Sequence, residues 1–155
     1  MNRREFVASS LALAGCGCLA SCAGQTVPRR ATGPVEVGTP ADYRTEGMTA
    51  RWAESYGFYV VREAGKIYAV SSTCTHKRCF VSPEDDKRIE LACDCHGSRF
   101  TKIGVVLKGP ARTSLPHFGI KLDVSDRIVV DPSRRFEQAE WDQPGAYVGV
   151  GSSAG

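Results

Sequence analysis

SSTCTHKRCF at Ser71–Phe80 and LACDCHGSRF at Leu91–Phe100 decide both the fold and the chemistry of this chain. Each holds cysteine and histidine at short spacing: Cys74-Thr75-His76 with Cys79 behind it, and Cys93-Asp94-Cys95-His96 followed by Gly97-Ser98. A Cys-x-His in one loop and a Cys-x-x-His in another can converge on a pair of metal ions, each loop giving soft sulfur to one ion and imidazole nitrogen to the other. Two Cys and two His can also close a tetrahedral zinc site that only stabilises the fold. Between the first histidine and the second cysteine runs Lys77 to Ala92, a length that suits a loop, a strand and a return.

Outward from these loops the pattern is one of short strands and turns. Phe58 to Arg62 is aromatic and β-branched, Glu63-Ala64-Gly65-Lys66 is a turn, and Ile67 to Val70 resumes the strand pattern, a hairpin leading into Cys74. Arg88 to Ala92 predicts another strand, Arg99 to Thr101 and Gly104 to Leu107 flank a turn, and Gly119 to Val124 meets Arg127 to Val130 across Ser125-Asp126. No stretch of the body has a helical period, so an all-β antiparallel sandwich or barrel is expected. Trp52, Tyr56, Tyr59 and Tyr68 are expected in packing, Lys102 and Lys108 as solvated residues, and His117, after Pro116, at an exposed strand edge rather than among the ligands. After Asp131 the pattern fades, and 132–155 reads as a mostly flexible C-terminal tail, with folding back of Arg134, Arg135, Phe136 and Trp141 as the alternative.

The chain of 155 residues, 42% hydrophobic and 24% charged, has room for one ordinary globular domain. Its net charge of +3 comes in part from Arg3 and Arg4, and no nucleic-acid signature is present. Residues 1–24 place Arg3-Arg4 and Phe6 before a weakly apolar run of small residues, the order of an export signal. The Arg-Arg-x-Phe core resembles a twin-arginine signal, whose pathway carries folded proteins and so suits one holding a metal centre. Leu13-Ala14-Gly15-Cys16 and Leu19-Ala20-Ser21-Cys22 both resemble a lipobox, which would make Cys16 or Cys22 a lipidated N-terminus at a membrane surface. Small residues populating a signal region explain the same cysteines equally well. An uncleaved anchor is a third option, although the run falls short of the ~20 apolar residues that span a bilayer. Residues 25–34 read as a linker and 35–131 as the domain.

Ser71 to Leu115 resembles the Rieske iron-sulfur family, with Cys74-Thr75-His76, Cys93-Asp94-Cys95-His96-Gly97-Ser98, Gly104 and Gly109-Pro110-Ala111 in family order; a looser match runs from about Val35 to Asp131. The resemblance implies a small antiparallel β-sandwich or barrel with a cluster-binding loop subdomain. It implies one 2Fe-2S cluster, with Cys74 and Cys93 on the inner iron, His76 and His96 on the outer iron, and Gly109-Pro110-Ala111 as a third loop over the cluster. Cys79 and Cys95 match the disulfide of the high-potential members found in cytochrome bc and bf complexes and in arsenite oxidase, a bridge that Rieske ferredoxins usually lack. Zinc would leave Ser98, this cysteine pair and the third loop unexplained.

By the same resemblance Ser98 donates a hydrogen bond to a cluster sulfur, which raises the reduction potential. Phe100 stands where respiratory members often carry a tyrosine, so one tuning hydrogen bond is missing. Lys77 and Arg78 depart from the Leu-Gly common in those members. A charge at Lys77, where a quinone-binding surface is apolar, argues against quinol oxidation and favours an acidic protein partner. The expected function is one-electron transfer, either as a small subunit of an exported or membrane-associated oxidoreductase of the cytochrome bc or molybdenum-oxidase sort, or as a free-standing ferredoxin-like carrier. The partner would be a cytochrome or a larger oxidoreductase subunit on the periplasmic side of the cytoplasmic membrane. A redox-sensing module switched through Cys79 and Cys95 is a further alternative. No nucleophile with a base is found, so no complete catalytic site is expected.

Overall fold

The computed structural model describes residues 33–86 and 89–151; the expected signal, with Arg3, Arg4, Cys16 and Cys22, lies outside the described residues, as does most of the linker. In chain order the strands are β1 (Val35–Gly38), β2 (Gly47–Thr49), β3 (Phe58–Glu63), β4 (Lys66–Ser71), β5 (Ser82–Asp86), β6 (Ile89–Cys93), β7 (Ser98–Phe100), β8 (Val106–Lys108), β9 (His117–Leu122), β10 (Ile128–Phe136) and β11 (Val148–Gly149). They form a seven-stranded antiparallel sheet in the order β1-β10-β9-β4-β3-β2, with β11 added on β4, and a four-stranded sheet in the order β5-β6-β7-β8. Only two short 3-10 turns, Pro40–Tyr43 and Gln138–Glu140, interrupt this all-β architecture among the described residues. None of the described residues forms a helix long and apolar enough to cross a membrane.

The hairpin of β3 and β4 is the wall between two cores. Alternation along a strand sends successive side chains to opposite faces, and here both faces are covered. Phe58, Val60, Ile67 and Ala69 point into a basal core with Trp52, Phe118, Ile120 and Ile128. Tyr59, Val61 and Val70 point the other way, into a second core with Val81, Leu91, Phe100 and Leu115. Burial on both sides explains the unbroken run FYVV, and each such side chain contributes roughly 1.5–3 kcal/mol on leaving water. The two-residue turn is made by Ala64 and Gly65, both left-handed, as a tight hairpin requires. The second core carries the four-stranded sheet, and its top is formed by Cys74, Cys93 and Ala111.

Two expectations are corrected by the packing of the C-terminal segment, and a third by the acids around Lys102. Far from being a flexible tail, residues 132–150 continue β10 through an irregularity between Asp131 and Arg135, make the second 3-10 turn, and end as β11 on Ile67 and Lys66. Phe136, Trp141 and Ala146 form a small core of their own. His117 is fully buried rather than exposed at an edge, because Trp141 stacks on its ring at 4.0 Å and Tyr68 closes the other approach at 5.0 Å. Its Nε2 bonds to the Ile103 carbonyl at 2.9 Å. Lys102, expected to be solvated, is drawn to Glu63 at 3.2 Å and Glu90 at 3.9 Å.

Candidate metal centre

Hydrogen bonding in the two cysteine-histidine loops follows one plan. The Arg78 N–H donates to the Cys74 carbonyl and the Gly97 N–H to the Cys93 carbonyl, both at 2.9 Å, so each cysteine opens one turn that closes four residues on. The closing residue is left-handed in both, Arg78 at φ 61° and Gly97 at φ 82°. Glycine takes this conformation freely, whereas a side-chain-bearing residue is strained there by roughly 1–2 kcal/mol. Each turn carries its histidine between the cysteine and that closing residue. The two turns are adjacent because β6 and β7 flank the second and β4 feeds the first from the wall hairpin.

This plan places sulfur deep and nitrogen at the rim. Cys74 and Cys93 are buried free thiols, close enough to share a hydrogen bond, and burial followed by that contact pushes the Cys93 thiol up to about 11. Without a cation to displace their protons they are inert apolar groups; a soft metal ion reverses that. The His76 and His96 rings stand nearly perpendicular with centroids 4.7 Å apart, His96 exposed and His76 half-buried. The pKa of His76 is held below its ordinary value by desolvation first, then by His96 and Lys77. Its Nδ1 is buried without a hydrogen-bond partner, a lone pair left to a group that is not protein. Two thiols, two imidazoles and an orphaned ring nitrogen therefore fit mixed sulfur and nitrogen ligation of a metal pair.

Cys79 and Cys95 are joined in a disulfide, with Cα atoms 6.5 Å apart and a sequence separation of 16. Their sulfurs and that of Cys93 lie within 4.8 Å of one another, but oxidation removes the pair as thiolate ligands and leaves Cys93 with Cys74. Cross-linking a loop of this length contributes about 3 kcal/mol through the unfolded state and keeps the two turns together.

A third loop, Gly109 to Thr113, ties down both turns. The Ala111 N–H donates to Ser98 Oγ at 3.0 Å, and the Thr75 hydroxyl donates to the Thr113 carbonyl at 2.7 Å. Ser98 is fully buried; because its oxygen accepts from Ala111, its own proton remains available to the centre. Thr75 and Ala111 escaped the sequence analysis as loop-fixing residues, since a lone threonine hydroxyl and a backbone amide leave no spacing signal. Gly104 is required where the third loop meets the wall: at φ +88° a Cβ would lie 2.9 Å from Leu115 Cβ and 3.1 Å from Val70 Cγ1. Beside the first turn runs a groove of about 580 Å³, lined by Thr73, Thr75, Arg78 and Thr113 and, across it, Ser133 and Arg135.

A family model for the Rieske [2Fe-2S] domain matches residues 33–119. Among curated proteins, the chain is 37% identical over 71 residues to the cytochrome b6-f complex iron-sulfur subunit of Chlorobaculum tepidum, covering 46% of this chain and 38% of that one. It is 28% identical over 120 residues to the chloroplastic cytochrome b6-f complex iron-sulfur subunit of Arabidopsis thaliana, covering 65% and 52%. The chain thus spans about half the length of these relatives, or less. A crystal structure of the plasma membrane Rieske protein of the cyanobacterium Synechocystis PCC 6803 is 36% identical, with 62% of this chain and 97% of that one covered and a TM-score of 0.44. The matched span holds both cysteine-histidine turns, the third loop and the wall hairpin behind them, and with more than half of its length inside that model the chain belongs to the Rieske [2Fe-2S] domain family, whose cofactor is a 2Fe-2S cluster.

Proposed function

We propose that this protein passes single electrons through a cluster whose inner iron is held by Cys74 and Cys93 and whose outer iron is held by His76 and His96, as an exported, membrane-associated small subunit of a larger oxidoreductase. The observation that carries the reading is the polarity of the site, with paired thiols buried and paired imidazoles at the rim. When bound, the cluster supplies reversible one-electron exchange. The chain does the rest: Leu91, Phe100 and Leu115 exclude water from the sulfur side, and the disulfide holds the turns together. The relatives named as subunits of the cytochrome b6-f complex support a place in a larger assembly. The twin-arginine-like N-terminus supports export to the periplasmic side. Isolation from membranes is expected to yield two irons and two acid-labile sulfides per chain, an EPR signal of a mixed sulfur- and nitrogen-ligated cluster on reduction, and a co-purifying cytochrome b or molybdenum subunit. Zinc without sulfide would sink the electron-transfer reading; a normal cluster on a chain that purifies alone would sink only the subunit reading.

The potential of the centre follows from opposing features around it. Histidine ligation, the disulfide and the Ser98 hydroxyl favour the upper part of the Rieske range of about −150 to +300 mV, while Phe100 has no hydroxyl to offer a sulfur, so an intermediate positive value is expected. Ser98→Ala is expected to lower the potential and Phe100→Tyr to raise it, read by protein-film voltammetry. A strongly negative potential that neither substitution moves would return the chain to the ferredoxin-like reading.

A further inference from the structure

Four cations in or beside the loops of the metal centre have no ion-pair partner among the described residues. Lys77 and Arg78 follow His76 in the first turn, Arg112 lies between Ala111 and Thr113, the two residues that bond to the turns, and Lys108 enters the same loop opposite Arg99. All four are exposed, and among the described residues the ion pairs involve other cations; at the rim only Arg99 is partnered, by Asp94 at 3.4 Å. The acids of β5, Glu84 and Asp85, lie beyond Pro83, which pairs with Leu91 on the side of β6 leading away from Cys93. The unpaired charge of these loops is therefore positive: Asp94 at the rim is taken up by Arg99, and Glu137, which lines the adjoining groove with Arg78, is taken up by Arg135.

A second observation bears on Arg78 alone. It occupies a left-handed position that the matching turn fills with Gly97. Glycine would close the first turn at lower cost, so the arginine persists against local strain, and residues of that kind cluster where function requires them.

We infer that this rim is the docking face for an acidic redox protein, which exchanges its electron at the exposed edges of His76 and His96. The inference rests on the electron-transfer reading above and names the partner's chemistry. With a c-type cytochrome as acceptor, each encounter oxidises the centre by one electron and reduces one ferric haem to ferrous, and no bond is made or broken. Complementary charge raises the encounter rate, and salt removes the gain because the screening length falls from about 30 Å at 0.01 M to about 8 Å at 0.15 M.

The test uses cluster-loaded protein, reduced and mixed with an acidic or a basic c-type cytochrome of similar potential, with binding of the oxidised partners followed separately by surface plasmon resonance. Between low and physiological ionic strength, the rate and affinity toward the acidic cytochrome are expected to fall about tenfold or more, and those toward the basic one to stay level or rise. Arg78→Gly relieves strain and is expected to fold at least as well, yet to lose severalfold in binding and rate; Lys77→Glu with Arg112→Glu is expected to abolish the salt dependence. Lys121→Glu, at the exposed end of β9 away from the metal centre, is expected to change neither. Equal behaviour toward both cytochromes, rim variants indistinguishable from the parent, or binding to phosphatidylserine vesicles in place of the acidic cytochrome would each overturn the docking inference while leaving a reducible cluster intact. A sample without a reducible cluster by EPR would overturn the electron-transfer reading itself, and the inference with it.

Discussion

Replacing Cys93 with serine, or His76 with alanine, is expected to empty the metal centre rather than weaken it. Cys93 is buried in an apolar cluster with Leu91, Phe100 and Leu115, so a serine there offers an oxygen that ionises far less readily than a thiol and that soft irons bind poorly. On the proposed ligation the remaining thiol, Cys74, could not hold the inner iron alone. His76→Ala removes the ring whose Nδ1 has no other partner and, on the proposed ligation, would leave the outer iron with a single imidazole at a rim open to water. Iron and acid-labile sulfide should fall from two of each per chain to near zero in both variants, and the visible absorption should vanish. A normal spectrum in both would mean that the ligands are assigned to the wrong residues.

Acid is expected to destabilise the domain through His117, by about 3 kcal/mol between pH 6.5 and pH 4. Burial holds the pKa of this histidine down at about 4, against a smaller upward pull from the Ile103 carbonyl. That carbonyl accepts from Nε2, so a second proton would go to Nδ1, which is buried and has no partner, between Trp141 and Tyr68. The unfolded chain binds the proton near pH 6.5, the folded one only near 4. Stability is therefore fully present above about pH 6.5 and is lost as pH falls toward 4, by about 1.4 kcal/mol for every tenfold rise in proton concentration. His117→Gln keeps a donor for Ile103 but cannot be charged. It is expected to be less stable at pH 7, for lack of the stacked ring, and to lose about 3 kcal/mol less than the parent on going to pH 4. Both proteins keep the same cluster ligands, so acid loss of the cluster cancels in the comparison of denaturant midpoints. Parallel losses in the two would refute the assignment.

What could be read in the sequence follows a physical division. The wall hairpin was legible because a strand buried on both faces must be apolar throughout, and Ala64-Gly65 marks its turn. The metal centre was legible because soft donors at short spacing have few other uses. Strands β1, β2 and β11 were not, since each is held mainly by backbone pairing and carries little pattern of its own. β5 reads SPEDD, a composition that disfavours strands, and exists only because β6 offers it a partner. Asp131-Pro132 signals a stop, yet β10 takes up the proline in an irregularity and resumes pairing at Arg135. The burial of His117 depends on Trp141, a contact between residues far apart in sequence that no local pattern around Pro116 announces.

The pairing of β11 with β4 also governs how the chain behaves in a test tube. β9 covers β4 only at Ala69 and Val70, and β11 takes over at Ile67 and Lys66. A chain cut at Asp131, where the strand pattern of the sequence ends, would leave that stretch of β4 with free amides and carbonyls beside an uncovered Ile67, and would bare His117 and Tyr68 at the same time. An open apolar strand edge recruits the same edge of another copy. Aggregation of such a shortened chain, with its ligand loops intact, would then say nothing about the metal centre and everything about a sheet margin left unguarded.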